Sequence, residues 1–183
     1  MTKRLLLCVL LLASSSLALA ATPKETGFYL GAGYGMTMFD DDGAFSGLSF
    51  DDTDSGYQVF GGYKFMRFFA LEARYSDFGS FSVMSFPFDV TGYSLSAVGI
   101  LPLGAGNWEL FGQLGFGQVD LSLPGESSSN EGVMSGGFGV RYNFTEQWSV
   151  GGQINVYVWE DSSIGTTYDL AVSDSSITIQ YAF

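Results

Sequence analysis

Five ionisable residues stand in stretches otherwise almost free of charge: Lys64, Glu72, Arg74, Glu109 and Arg141. Each lies on the small or polar face of a period-two alternation. In GYQVFGGYKF, Tyr57, Val59, Gly61, Tyr63 and Phe65 share one face, and Lys64 sits with Gln58, Phe60 and Gly62 on the other. Glu72 and Arg74 oppose Phe69, Leu71, Ala73 and Tyr75. Glu109 opposes Trp108 and Leu110, and Arg141 opposes Phe138, Val140, Tyr142 and Phe144. Three cations and two anions on such faces can form ion pairs. A charge removed from water is costly unless it is paired and hydrogen-bonded. If these faces enclose a narrow space, the set is a polar plug that closes it and fixes strand register.

Other chemistry is thinly supported. The sequence has no histidine, and its one cysteine is Cys8. Hydrolases and acyltransferases that use an imidazole base have none here. A Ser-Lys or Asp-only mechanism remains open, but Lys64 is better explained as part of the charged set. No glycine-rich phosphate loop occurs, because the glycine pairs sit in mid-strand. Paired carboxylates fall only in loop-like segments: Asp40, Asp41 and Asp42, then Asp51, Asp52 and Asp54, then Glu160 and Asp161. Hard cations take carboxylate oxygens, but the spacing of an EF-hand is absent. A solvated acidic loop is the expectation, with no metal and no cofactor.

These residues must be positioned by strands. Met1 to Arg4 is a short basic start, Leu5 to Ala13 an apolar run too short to span a bilayer, and Ala18-Leu19-Ala20 a small-x-small cleavage site. Residues 1–20 read as a secretory signal peptide, leaving one domain over 21–183. Without Lys3 and Arg4, five basic residues face nineteen acidic ones, a net charge of −14 against −12 for the whole chain. Phosphate-mediated nucleic-acid binding is excluded by that balance. Yet only 14% of residues are charged and 46% are hydrophobic. After residue 20 no run approaches the ~20 apolar residues of a membrane helix. A membrane chain without helices must be a closed barrel, since open sheet edges cannot be satisfied in hydrocarbon.

The pattern predicts eight strands of about 9 to 12 residues, the length of a tilted crossing. The first runs from Phe28 to Met38. A hairpin fills Gly56 to Gly79, turning at Met66-Arg67-Phe68. The fourth spans Thr91 to Leu101, the fifth starts at Trp108, the sixth spans Gly132 to Phe144, the seventh starts at Trp148, and the eighth ends the chain. Long polar loops are expected over residues 39–55, 79–90, 124–131 and 160–174, the last in part extending its neighbouring strands. Short turns lie between. Aromatics predict two girdles: Phe65, Phe68, Trp108, Phe144, Trp148 and Phe183 on the turn side, and Tyr57, Tyr75, Tyr93, Phe116 and Trp159 nearer the loops. The fold class is all-β, an eight-stranded antiparallel up-and-down transmembrane β-barrel.

With its eight strands, the segment GYQVFGGYKF…FALEARYSDFG and the terminal Tyr181-Ala182-Phe183, the chain resembles the small outer-membrane β-barrels of the OmpA-like transmembrane class. The resemblance covers the mature chain and is specific for fold and compartment, not for an individual role. It implies that Ile179, Tyr181 and Phe183, with Ile177, carry the signal read by the outer-membrane assembly machinery. It implies outer-membrane lipid and lipopolysaccharide as surroundings, with divalent-bridged contact between acidic loops and lipopolysaccharide phosphates as a weaker possibility. Relatives have comparable interior ion pairs, some of which gate by exchanging partners. A peptidoglycan-binding domain, as two-domain relatives carry, is not expected. The functional expectation is a monomeric, non-enzymatic barrel serving envelope integrity or surface contact. The alternative is a narrow channel for small solutes or ions.

Overall fold

The computed structural model describes residues 24–40, 50–51, 53–83, 86–104, 107–122, 129–161 and 168–183. Residues 1–20, read from the sequence as a signal peptide, the carboxylates Asp41, Asp42 and Asp52, and most of the expected third loop, 123–128, lie outside them. The alternation of the sequence becomes nine strands: β1 (Gly27–Asp40), β2 (Phe50–Asp51), β3 (Thr53–Met66), β4 (Phe69–Val83), β5 (Phe86–Leu103), β6 (Trp108–Ser122), β7 (Ser129–Asn143), β8 (Trp148–Asp161) and β9 (Tyr168–Ala182). The two-residue β2 pairs with Val83 and Ser82 and continues the β3–β4 ladder upward. The other eight pair antiparallel with their neighbours, and β1 pairs with β9 from Tyr29↔Ala182 to Asp40↔Ala171. The result is a closed eight-stave up-and-down barrel, which leaves no sheet edge. At the last residue the Phe183 N–H donates to Phe28 O at 2.9 Å, tying the chain end to the first strand.

Side chains follow the predicted faces. Phe28, Leu30, Tyr34, Leu114, Phe116, Met134, Phe138 and Ile177 point out and are exposed. Every charged residue singled out by alternation points in and is buried. Glycines on the inner face make room for large neighbours. A Cβ on Gly62 would stand 2.5 Å from the Tyr29 hydroxyl.

The strands are longer than expected, 14 to 18 residues apart from β2. The expected loops at 39–55, 79–90 and 160–174 are each partly strand. Asp40 belongs to β1, Asp51 to β2 and Asp54 to β3. Pro87 stands on β5 opposite Ser82, above the point where β6 begins to pair, so its missing N–H costs no rung there. A polar, glycine-rich composition can therefore still be strand above the apolar belt, where side chains meet water on one face.

A bulge explains how the phase changes. The β4–β5 register shifts between Asp77 and Ser80, and Gly79 adopts φ +87°. The bulge inserts one residue, so Phe78 and Phe81, three apart, both turn inward. The Gly79 N–H donates to Asp77 Oδ1 at 3.0 Å, and the Ser80 N–H to Asp54 Oδ2 at 2.7 Å. Gly79→Ala is expected to cost about 1–2 kcal/mol from the left-handed backbone. More is lost because the new Cβ meets Asp54 Oδ2 at 2.5 Å. Denaturant unfolding in phospholipid vesicles measures it, and an unchanged midpoint would deny the bulge its role.

One seam in the wall is incompletely zipped. β7 begins at Ser129 and β8 runs on to Asp161, yet their ladder stops at Met134↔Val158. The flanking ladders continue higher, to Leu121↔Ser129 and Asp161↔Tyr168.

Candidate functional site

The site is the filled lumen, because eight staves leave an interior just wide enough for side chains. At the turn side, Glu109 on β6 is 1% exposed. It accepts from Lys64 Nζ at 3.3 Å and from Arg141 Nε at 3.1 Å. Arg141 also donates to Gln180 and lies over the Phe111 ring at 5.1 Å. Beside this cluster, Tyr29, Phe60, Ala70, Val98 and Ile100 form an apolar patch.

The middle of the lumen is organised by Arg74. It donates to Glu72 at 2.5 Å, to Gln58, and to Gln113 at 3.4 Å, and it lies over the Phe60 ring at 5.0 Å. Glu72 accepts from the Tyr29 hydroxyl at 3.0 Å. Asp174 accepts from Asn155 at 2.8 Å, Ser176 at 2.8 Å and Gln58 at 3.1 Å. Gln153 donates to Gln58 at 3.0 Å, and Gln113 to Asn155. Six strands, β1, β3, β4, β6, β8 and β9, thus meet across one layer.

Alternation placed Lys64, Glu72, Arg74, Glu109 and Arg141 inside, and the structure divides them into two clusters. It adds a sixth charge. Asp174, placed by sequence at the end of a loop, lies on β9 and is 6% exposed. Among the described residues the buried charges are then three positive and three negative, so the lumen is neutral. Tyr29, Gln58, Gln113, Asn155 and Ser176 were also missed as members. Their signal was their place on the inner face.

Above the polar layer the lumen is apolar. Phe39, Phe78, Phe81, Val90, Val119, Tyr157, Trp159 and Val172 are packed together. Phe78 meets Tyr157 edge-on with centroids 5.0 Å apart, and Phe39 meets Trp159 at 6.0 Å. This corrects the loop-side girdle. Trp159 is 3% exposed and inside the barrel, because alternation from the outward Trp148 puts odd-numbered residues of β8 on the inner face. The rest of the girdles stands, with Trp108, Phe68, Tyr57, Tyr93 and Phe116 all exposed outward.

The other singled-out residues have structural settings. Ile179 and Phe183 face outward on or just beyond β9, and the Tyr181 ring packs against Trp148 at 4.9 Å and Phe183 at 5.0 Å. Asp54 is spent on backbone N–H groups of Ser55 and Ser80. Among the described residues no three histidine, cysteine or carboxylate side chains converge as a metal site. No helix is long and apolar enough to cross a membrane, which says nothing against crossing by strands.

Residues 5–183 match the family described as the outer membrane protein beta-barrel domain. The chain belongs to that family. As an outer membrane beta-barrel protein, it lies in the bacterial outer membrane, and its outward apolar band is the lipid-facing surface. Solved structures share the fold. Neisserial surface protein A is 15% identical with a TM-score of 0.65, covering 87% of this chain and 99% of that one. Ail, the attachment invasion locus protein of Yersinia pestis, is 17% identical with a TM-score of 0.57, covering 87% and 100%. OprG of Pseudomonas aeruginosa is 14% identical with a TM-score of 0.59, covering 91% and 99%. Comparison with curated protein sequences gives no match.

Proposed function

We propose that this barrel is a closed, monomeric, non-enzymatic surface protein whose work is done by its acidic extracellular rim. The observation that carries this reading is the filled lumen. Two hydrogen-bonded ion clusters cross the lumen and an apolar stopper packs above them, which favours a closed barrel over a conducting one. A narrow channel gated by partner exchange would need the Arg74 and Glu109 clusters to open together with that stopper.

The charge map supports a role at the rim. Of the five basic residues after position 20, Lys64, Arg74 and Arg141 are inside the lumen. Lys24 and Arg67 lie at the turn side, before β1 and between β3 and β4. The loop side therefore carries acids without a single Lys or Arg. Ail has been solved with the heparin analogue sucrose octasulfate, but a polysulfate needs cations that this rim lacks. Cationic surfaces and divalent-bridged lipopolysaccharide phosphates fit it instead. Outer-membrane lipid surrounds the wall, and the assembly machinery reads the last strand through Ile179, Tyr181 and Phe183.

Proteoliposomes carrying the barrel are expected to bind polylysine-coated beads and not heparin-coated ones, with binding lost as salt screens the charges. Equal retention on both, or none on polylysine, would remove the rim from the account. Incubation with lipid A should leave its mass unchanged, and any hydrolysis or acyl transfer would contradict the non-enzymatic reading.

A further inference from the structure

Near the loop-side end of the wall formed by β4, β5 and β6, three carboxylates face outward. Asp77 stands between the inward Ser76 and Phe78, Asp89 precedes the inward Val90, and Asp120 follows the inward Val119. Register sets them around one residue. Asp77 and Asp120 pair with Thr91 from either side, and Asp89 lies two residues from it along β5. Among the described residues no Lys or Arg forms an ion pair with any of the three. Asp77 accepts from the Gly79 N–H and Asp89 from the Ser80 hydroxyl, neutral donors that leave the charge in place. The three also do not converge as a metal site, which suits a bulkier cation.

Directly below the carboxylates, on the same outward face, lies an aromatic row. Tyr75 and Tyr93 pair in register two residues below Asp77 and Thr91, with ring centroids 5.1 Å apart. Tyr57 on β3 extends the row, 6.4 Å from Tyr75. Two residues along a strand span about 7 Å, so an ammonium held by the carboxylates reaches the faces of these rings. At the level of the row and beneath it the wall is hollowed into a groove of about 690 Å³. Tyr75, Tyr93 and Phe116 bound it, and Ala73 and Leu95 line it. Gly132 leaves its β7 side open, since a Cβ there would have nothing within 4 Å. The tyrosines that neighbour the acids are thus the same ones that bound the groove.

We propose that this wall binds a lipid of the loop-side leaflet whose head carries a cationic amine. The ammonium sits among Asp77, Asp89 and Asp120 over the faces of Tyr75 and Tyr93, and the chain lies in the groove along Leu95 and Phe116. Charge selects the occupant. An anionic head would meet three like charges. A neutral head would leave the carboxylates uncompensated beside a low-dielectric layer, where charge interactions are stronger than in bulk water. The site lies on the outer wall, so it stands apart from the closed lumen and from the binding of cationic surfaces at the rim.

The test places the barrel in phosphatidylcholine vesicles at neutral pH with a long-chain alkylamine that carries a nitroxide on its chain. Electron spin resonance separates motionally restricted probe from free probe. The restricted fraction is expected to saturate and to fall when unlabelled amine competes. It should exceed by several-fold the fraction seen with the matching alcohol or ionised carboxylic acid. Asp77→Asn with Asp120→Asn should bring the amine down to the level of the alcohol, while asparagine keeps an oxygen for the Gly79 N–H. Asp41→Asn with Asp42→Asn removes the same charge elsewhere in the chain and should leave the amine unchanged. Gly132→Leu fills the groove without meeting a neighbour at its Cβ and should remove the saturable fraction. Heat-modifiable gel mobility checks that each variant is folded. Equal restriction of amine, alcohol and acid would overturn the site. So would equal losses in the two charge variants, or an unchanged saturable fraction in Gly132→Leu.

Discussion

Glu109→Ala is expected to destabilise the barrel by about 3–5 kcal/mol, the usual cost of removing one partner from a buried ion cluster. The reason lies in its company. Glu109 is the carboxylate that both Lys64 Nζ and Arg141 Nε contact. Without it, two cations face each other in a space that water reaches poorly. Arg141 keeps its bond to Gln180 and its place over Phe111, but Lys64 keeps no hydrogen-bond partner among the described residues. Glu109→Gln should cost less, because its amide oxygen still accepts from one of the two. Replacing the whole cluster, Lys64→Met with Glu109→Leu and Arg141→Met, should recover much of the loss, since apolar groups of similar volume can substitute for a buried ion cluster. Urea midpoints in phospholipid vesicles would rank these variants. A Glu109→Ala protein with the parent midpoint would show that the cluster is solvated and holds nothing together.

Gly117→Val should be more damaging still, to the point of losing folded protein. A Cβ built on Gly117 falls 1.9 Å from Tyr93 O, on the backbone of the neighbouring stave. Ordinary overpacking of a core costs about 1–3 kcal/mol because side chains can shift. Here the obstacle is backbone, and moving it breaks the β5–β6 ladder at Ser94↔Gly117. Gly152→Val provides the contrast, because its Cβ would have nothing within 4 Å. Refolding yield, read as the heat-modifiable band, should collapse for the first and stay near the parent for the second. Equal yields would mean that the wall is more compliant than its geometry indicates.

Much of this was legible in the sequence. Period-two alternation alone implies eight crossings and puts Lys64, Glu72, Arg74, Glu109 and Arg141 on the inner face. The alternation works because lipid and lumen impose opposite demands on successive residues. It failed where those demands relax. Above the belt both faces can be polar, so Asp174 and its strand read as loop, and the sixth charge that neutralises the lumen was hidden. Trp159 was misplaced for a different reason, since tryptophan near a strand end suggests an interfacial girdle. Strict counting from Trp148 was the better guide. The bulge at Gly79 inserts one residue and reverses the phase, so the inward turn of Phe81 could not be counted from Phe69. The seam was not visible at all, because it is a missing set of rungs, not a pattern of side chains.

The measurement that bears most directly on the closed lumen is single-channel recording in planar bilayers. The barrel should give no resolved conductance steps across a broad voltage range, because the Glu109 and Arg74 clusters and the Phe78-Phe81-Trp159 stopper lie in series. Regular steps that change size in Glu109→Ala or Arg141→Ala would contradict the account and make the ion pairs a gate.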